Sequence, residues 1–274
     1  LAAFDLALIE AAAREAGALA LARRGTGYKT WSKGAAGPVT EVDLAIDALL
    51  KERLLEARPD YGWLSEETPD NPERLKHAAV FVIDPIDGTQ AFIQGAPEFT
   101  ISIGIVKDGV AWAGAIYNPS TDEMFLGARG SGATYNGAPV STSTTSELEH
   151  AHLIGKEEFF AASKRWPEPW PILRLGFRQS IAYRLGLVAN GHFDGVILAG
   201  MKHDWDIAAG VAIVCAAGGA VSDTQGAPLV FNKPDPRAPG VVAAGALLHP
   251  LLIERTAQLP DPRQGAKIKQ EAPS

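Results

Sequence analysis

The sequence predicts a mixed fold of the α+β / α/β kind, with an α+β first half (1–140) and an α/β second half (141–260) forming one compact unit. Three patterns predict it. Helical apolar spacing opens the chain, consecutive strand-like runs joined by turn residues follow, and strand and helix patterns alternate after the polar stretch Ser141 to Ser146. A chain of 274 residues can bury a large core.

Residues 2–24 place Phe4, Leu8, Ala12 and Leu19 at helical spacing, and Gly25 and Gly27 end the run. A second helix follows. Thr40 and Asp43 resemble a capping box, Val42, Ile46, Leu49, Leu50 and Leu54 supply its apolar face, and Pro59 closes it. From Tyr61 the period changes: Trp63-Leu64 and Val80 to Ile83 read as buried strands ending in acidic residues. Phe99 to Val106, Val110 to Tyr117 and Glu123 to Ala128 read as an antiparallel meander with turns at Asp108-Gly109 and Asn118-Pro119. In the second half, Ile172 to Phe177, Val196 to Leu198 and Val241 to Ala244 read as strands, and Ile181 to Asn190 and Trp205 to Ala217 as helices. The tail 261–274, rich in Pro, Lys, Gln and Glu, reads as a frayed end.

A formal charge of −7 disfavours a broad grip on nucleic acid or anionic lipid. The expected partner is therefore a small molecule, with no nucleic acid polymer and no membrane. No apolar run reaches the ~20 residues of a membrane span. The alanine-rich start carries Asp5, Glu10, Arg14 and Glu15, unlike a secretory signal, so the expected location is the cytoplasm. Cys215, the single cysteine, reads as a small buried hydrophobe. The histidines at 77, 150, 152, 192, 203 and 249 lack the His-x3-His spacing of a helical zinc site, and His150 with His152 reads as a strand edge. Gly127 to Gly132 is too loose for a dinucleotide or Walker loop and reads as a turn.

Acidic residues recur where a plain surface has no need of them: Glu66-Glu67 after a strand, Asp84 and Asp87 bracketing Pro85-Ile86, and Asp206 after Trp205. Together they suit a hard cation, since magnesium takes oxygen ligands, keeps several waters and accepts substrate phosphate. Pro85 stiffens the turn, and Gly88-Thr89 open a short helical stretch whose first N–H groups suit a phosphate. The competing reading is an ordinary turn at Asp87-Gly88 with Asp84 as a helix cap. Asp43 lies three residues before Ile46 and seven before Leu50, on or beside the buried face, where a carboxylate needs a partner. Completing the Thr40 cap is its alternative role, and the two are compatible. For Asp206 the alternative is capping of an apolar helix by Asp204 or Asp206.

Trp63-Leu64-Ser65-Glu66-Glu67, Asp84-Pro85-Ile86-Asp87-Gly88-Thr89 and Trp205-Asp206-Ile207-Ala208-Ala209-Gly210, in this order, resemble signatures of the inositol monophosphatase superfamily. The resemblance runs from the first helix to about residue 245. It implies the layered αβαβα sandwich of the inositol monophosphatase / fructose-1,6-bisphosphatase type and a site with two or three magnesium ions. It implies that Glu66, Asp84 and the Ile86 carbonyl hold the first ion and that Asp84, Asp87 and Asp206 hold the second. Asp43 and Thr89 would orient the attacking water, Asp87, Gly88, Thr89 and Asp206 would contact substrate, and Glu67 would stand behind the ligands. The implied chemistry is in-line attack on phosphorus by metal-activated water, with ions about 3.5–4 Å apart and no histidine base. Lithium inhibition and a homodimer are further expectations of the resemblance.

Inositol-type members carry an acidic residue seven positions before the motif aspartate, where this chain has Ala199. Ser65, the segment Glu98 to Ile103 and the basic Arg184 look instead like the 3′(2′),5′-bisphosphate nucleotidase branch, in which a second phosphate calls for such a cation. Gln90-Ala91-Phe92 departs from that branch, which commonly shows a lysine and an acidic residue there, and Lys202-His203-Asp204 is distinctive, with Lys202 read as solvated ahead of the alternative, a contact with substrate. The expected reaction is hydrolysis of a small phosphorylated metabolite, with adenosine 3′,5′-bisphosphate, giving AMP and phosphate, ranked first. An inositol 1-phosphate, sugar phosphate or histidinol phosphate comes next. A catalytically silent metabolite-binding homologue is the remote alternative, against which the complete carboxylate set argues.

Overall fold

The computed structural model describes residues 2–32, 34, 37–162, 164–166, 168–261 and 263. Its first layer is a pair of helices, α1 (Ala2–Arg23) and α2 (Glu41–Ala57), joined through a two-stranded ribbon, β1 (Thr30–Ser32) and β2 (Pro38–Thr40). Both pack on one face of a seven-stranded sheet. Its strands run in spatial order β3 (Gly62–Ser65), β4 (Ala79–Asp87), β5 (Thr100–Lys107), β6 (Val110–Asn118), β7 (Glu123–Ala128), β8 (Gly132–Tyr135) and β9 (Ala138–Val140). Only the β3–β4 pair is parallel. Asp108 and Gly109 both take left-handed conformations, φ 49° and 76°, the geometry that closes a tight hairpin between β5 and β6.

Strand alternation sorts the core. Phe81, Ile83, Ile101 and Ile103 face α1 and α2, while Val80, Val82 and Ile116 face the other way. That second face is covered by α5 (Ile181–Ala189) and α6 (Asp204–Ala216). Behind them lies a five-stranded sheet made of β10 (His152–Ile154), β11 (Arg174–Gly176), β12 (Gly195–Leu198), β14 (Gly219–Ser222) and β16 (Val241–Gly245). α4 (Glu157–Ala161) and α7 (His249–Thr256) close its far side, and a small ribbon pairs β13 (Lys202–His203) with β15 (Arg237–Ala238). The order helix, sheet, helix, sheet, helix is the expected αβαβα sandwich. A five-residue helix, α3 (Thr89–Ile93), caps the end of β4.

Two features fix the layers against each other. Gly104, Gly114 and Gly127 are cross-strand partners on β5, β6 and β7, and they form a smooth trough for α6. A Cβ on Gly114 would come within 2.3 Å of the Ala209 carbonyl oxygen, so glycine is required for this close approach. On the opposite face, buried Asp5 of α1 accepts hydrogen bonds from Arg58 (2.8 and 3.0 Å), Lys107 (3.2 Å) and Tyr61 (3.2 Å), tying α1 to the end of α2 and to β5.

The second half differs from a simple strand-and-helix alternation. β10 is parallel to β11 and β12, but β16 runs antiparallel between β12 and β14. The strand expected over Ile172 to Phe177 shortens to Arg174–Gly176, with Ile172 exposed. His152 begins β10, an internal strand, and His150 turns at φ 61° just before it. The strands β8, β9 and β14 are short and rich in Gly, Ala or Pro and carry no clear periodic signal. Cys215 is half-buried rather than fully enclosed. Burial still pushes its thiol up against the opposing pull of Arg129, which suits an unreactive side chain. Residues 264–274, most of the tail read as frayed, lie outside the described residues. No described helix is long and apolar enough to cross a membrane.

Candidate active site

The centre of the site is an irregularity in β4. Asp84 pairs with Ser102 and Asp87 with Thr100, so three steps on β4 match two on β5. In a regular strand, residues three apart face opposite sides; this bulge turns both carboxylates toward one cluster. Asp84 Oδ1 accepts the Ile86 N–H (3.1 Å), and the Ile86 carbonyl accepts the Thr89 hydroxyl (3.0 Å). Asp84 therefore belongs to a strand, not to a helix cap. Gly88 makes the turn into α3 at φ 94°, where a Cβ would lie 2.9 Å from the Glu98 carbonyl oxygen.

Helix α2 supplies Asp43. Its Oδ2 accepts from the Thr40 N–H (2.8 Å) and hydroxyl (2.5 Å), completing the capping box, and its Oδ1 accepts from the Thr89 hydroxyl (3.2 Å). One oxygen serves the cap while the other accepts from Thr89, so the cap and a partnered buried carboxylate coexist. Glu66 follows β3, and its N–H extends the ladder to the Ile83 carbonyl (3.2 Å), which sets it beside Asp84. Asp206 is the third residue of α6, and its Oδ2 accepts the His203 N–H (3.1 Å), which completes a capping box. Asp204 points elsewhere, accepting from the Asn232 N–H (3.1 Å), and burial raises its carboxyl to about 6 against the pull of Lys233.

Electrostatics joins these groups. Burial lifts the Asp84 carboxyl well above its ordinary range, and Glu66, Asp87, Asp206 and Asp43 push it further. Asp206 rises to about 8 through burial and then Asp87 and Glu66, although it keeps some contact with solvent. Burial also raises Asp43 and Asp87, against the hydrogen bonds each accepts. No described Lys or Arg comes within 4 Å of the carboxylates of Asp43, Asp84, Asp87 or Asp206.

Three other contacts were not apparent in the sequence. Asp87 Oδ2 accepts from the Ser180 hydroxyl (2.7 Å) and the Ala182 N–H (2.5 Å), and Ser180 meets the Thr100 hydroxyl (3.0 Å) while capping α5. Ser180 carries a cap signature before an apolar run, but nothing local links it to Asp87. Arg184, expected to reach a substrate phosphate, donates instead to the Arg178 (2.6 Å) and Gln179 (3.3 Å) carbonyls and lies over Phe177, although its charge still acts on Asp87. Lys202 is not solvated as expected. Its ammonium folds onto the Ala199, Gly200 and Met201 carbonyls (2.6, 3.4 and 3.3 Å), acting electrostatically on Asp206 and Arg184.

A cleft of about 660 Å³ opens past Ser65, Glu66, Glu67, His203, Trp205 and Arg237, with the His203 and Trp205 rings stacked 4.3 Å apart. A cavity of about 570 Å³ lined by Phe160, Trp166 and Trp170 lies away from the carboxylates, with Glu157 as its one carboxylate.

A family model described as the inositol monophosphatase family matches residues 2–261. An inositol-1-monophosphatase of Rhizobium meliloti (strain 1021) is 32% identical over 204 residues, covering 71% of this chain and 75% of the relative. A histidinol-phosphatase of Chlorobaculum parvum is 31% identical over 229 residues, covering 81% of this chain and 86% of the relative. The crystal structure of the extragenic suppressor protein suhB from Bartonella henselae superposes with a TM-score of 0.78 at 28% identity, covering 91% of this chain and 96% of that one. The chain belongs to the inositol monophosphatase family, and it is a phosphatase.

That family works with metal ions, generally magnesium, and the donor chemistry here fits one. Among the described residues, no three acidic, histidine or cysteine side chains already form a closed cage. Magnesium needs none, because it retains waters and takes phosphate oxygens beside one or two carboxylates. Like charges crowded around the buried carboxylates of Asp43, Asp84 and Asp87 are the arrangement that such an ion relieves.

Proposed function

We propose that the chain is a magnesium-dependent phosphomonoesterase acting on a small phosphorylated metabolite. The observation that carries this reading is the buried Asp84, on which Glu66, Asp87, Asp206 and Asp43 converge electrostatically. Glu66, Asp84 and the Ile86 carbonyl would hold one ion, and Asp84, Asp87 and Asp206 a second. Magnesium would supply Lewis-acid activation of water and neutralise phosphate charge. The protein's own part begins at Thr89. Its hydroxyl gives its one proton to Asp43 or to the Ile86 carbonyl, so its lone pairs can accept from a water and aim that water at phosphorus. Gly88 and Thr89 would cradle the phosphate at the start of α3.

For the alcohol that leaves, we propose one bearing negative charge. Ala199 offers no carboxylate for sugar hydroxyls, and Lys202 brings an ammonium beside Asp206. This favours adenosine 3′,5′-bisphosphate, with the second phosphate drawn by the charges of Lys202 beside Asp206 and of Arg184 beside Asp87, although both side chains also donate to backbone carbonyls. The inositol-1-monophosphatase and histidinol-phosphatase relatives supply the second reading. Turnover of adenosine 3′,5′-bisphosphate, inositol 1-phosphate, histidinol phosphate and fructose 1,6-bisphosphate separates the two. Lys202→Ala should raise KM about 10-fold for an anionic alcohol, the size of one charge-assisted contact. Inositol 1-phosphate should be little affected, and a clear preference of the wild type for an inositol phosphate would reverse the ranking.

A further inference from the structure

Asp47 lies one helical turn beyond Asp43 on the buried face of α2 and is 7% exposed. Its two oxygens are both used on one short loop. Oδ1 accepts the Ser65 hydroxyl at 2.5 Å and Oδ2 accepts the Thr68 hydroxyl at 2.5 Å. Ser65 and Thr68 bracket Glu66-Glu67. A carboxylate can only accept, so each hydroxyl spends its single proton on Asp47 and turns its lone pairs outward. Ser65 then accepts the Glu67 N–H (3.4 Å) and Thr68 the Trp63 indole N–H (3.3 Å). The directions of the network are thereby fixed, and its charge-assisted bonds are stronger than neutral ones.

We propose that Asp47 is a positioning residue for the first metal: it clamps both ends of the Glu66 loop to α2. The same rigid helix carries Asp43, which reaches Thr89 from the other side. α2 thus sets the spacing between the residues that aim the water and the loop that presents Glu66. This inference rests on the magnesium reading proposed above.

The test is equilibrium binding of Mn²⁺, followed by electron paramagnetic resonance, to the full chain without substrate. Asp47→Ala should weaken binding by about 10-fold or more, the range for groups that orient metal ligands. Thr68→Val, which removes one hydroxyl from a half-buried loop position, should shift it the same way by about 3-fold with its melting temperature in chelator nearly unchanged. In turnover, both variants should need more Mg²⁺ for half-maximal rate, recover near wild-type kcat at saturating Mg²⁺, and keep the KM for the phosphate ester. Wild-type Mn²⁺ affinity in folded variants, or a kcat deficit that excess Mg²⁺ does not repair, would overturn the clamp. If Asp47→Ala does not fold, Thr68→Val decides alone. Absence of Mn²⁺ binding by the wild type would instead remove the metal reading itself.

Discussion

Asp84→Asn is expected to reduce Mg²⁺-dependent phosphate release by about 10³-fold or more while leaving the chain folded, because several kcal/mol of transition-state charge stabilisation depend on ion placement. The same change should stabilise the protein in chelator. Asp84 is a carboxyl raised well above its ordinary value by burial and by Glu66, Asp87, Asp206 and Asp43. An acid with a raised folded pKa carries no penalty below its unfolded pKa, and it loses native stability as pH climbs toward the folded one. The melting temperature of Asp84→Asn in chelator should therefore exceed that of wild type at pH 8, by roughly 2–4 °C per kcal/mol of repulsion removed. The gap should shrink as pH falls toward the ordinary carboxylate range. Thermal unfolding at pH 5 and pH 8, with phosphate release measured in parallel, reads both effects. A variant that is inactive and also less stable in chelator would mean that Asp84 serves packing rather than an ion.

The largest purely structural effect is expected at Asp5→Ala. Removing this fully buried carboxylate leaves Arg58 and Lys107, 15% and 22% exposed at the side chain, without the partner that holds them against α1. Breaking one side of a buried ion pair costs about 3–5 kcal/mol, so the melting temperature should fall by the order of 10 °C. Asp5→Asn should lose less, since it still accepts a hydrogen bond. A change below about 1 kcal/mol for Asp5→Ala in denaturant titration would show that the anchoring of α1 is apolar alone. The sequence marks Asp5 only as a charge out of place in an alanine-rich segment; its partners lie 53 and 102 residues away.

That contrast explains which parts of the molecule are legible in one sequence. Thr40 and Asp43 announce a helix start because capping is local, and the structure returns the capping box with Asp43 turned to the site as well. The meander from β5 to β7 is legible because period-two apolar runs are separated by turn residues whose conformations the chain needs. The bulge at Asp84 to Asp87 is not, since it exists only in the register against β5. Ser180 could be read as a helix cap, but its hold on Asp87 spans 93 residues. Asp47 had a usable signal, a second carboxylate four residues after Asp43 on the same buried face. Lys202 and Arg184 show a further contact that spacing does not announce: each donates to nearby backbone carbonyls. The mixed direction of the second sheet likewise follows from how β16 inserts between β12 and β14, which strand pattern alone does not specify.

Buried Asp84 and Asp87 on β4, with half-buried Glu66 after β3 and Asp206 on α6, are proposed to form a magnesium site for phosphate ester hydrolysis. The most direct measurement is phosphate release from a panel of small phosphate monoesters by the same preparation, first in excess chelator and then as free Mg²⁺ is raised. Turnover should be absent in chelator, recover with Mg²⁺, and fail to recover in Asp206→Asn. Turnover that persists undiminished in chelator, or Asp206→Asn protein that matches wild type across the Mg²⁺ range, would contradict it.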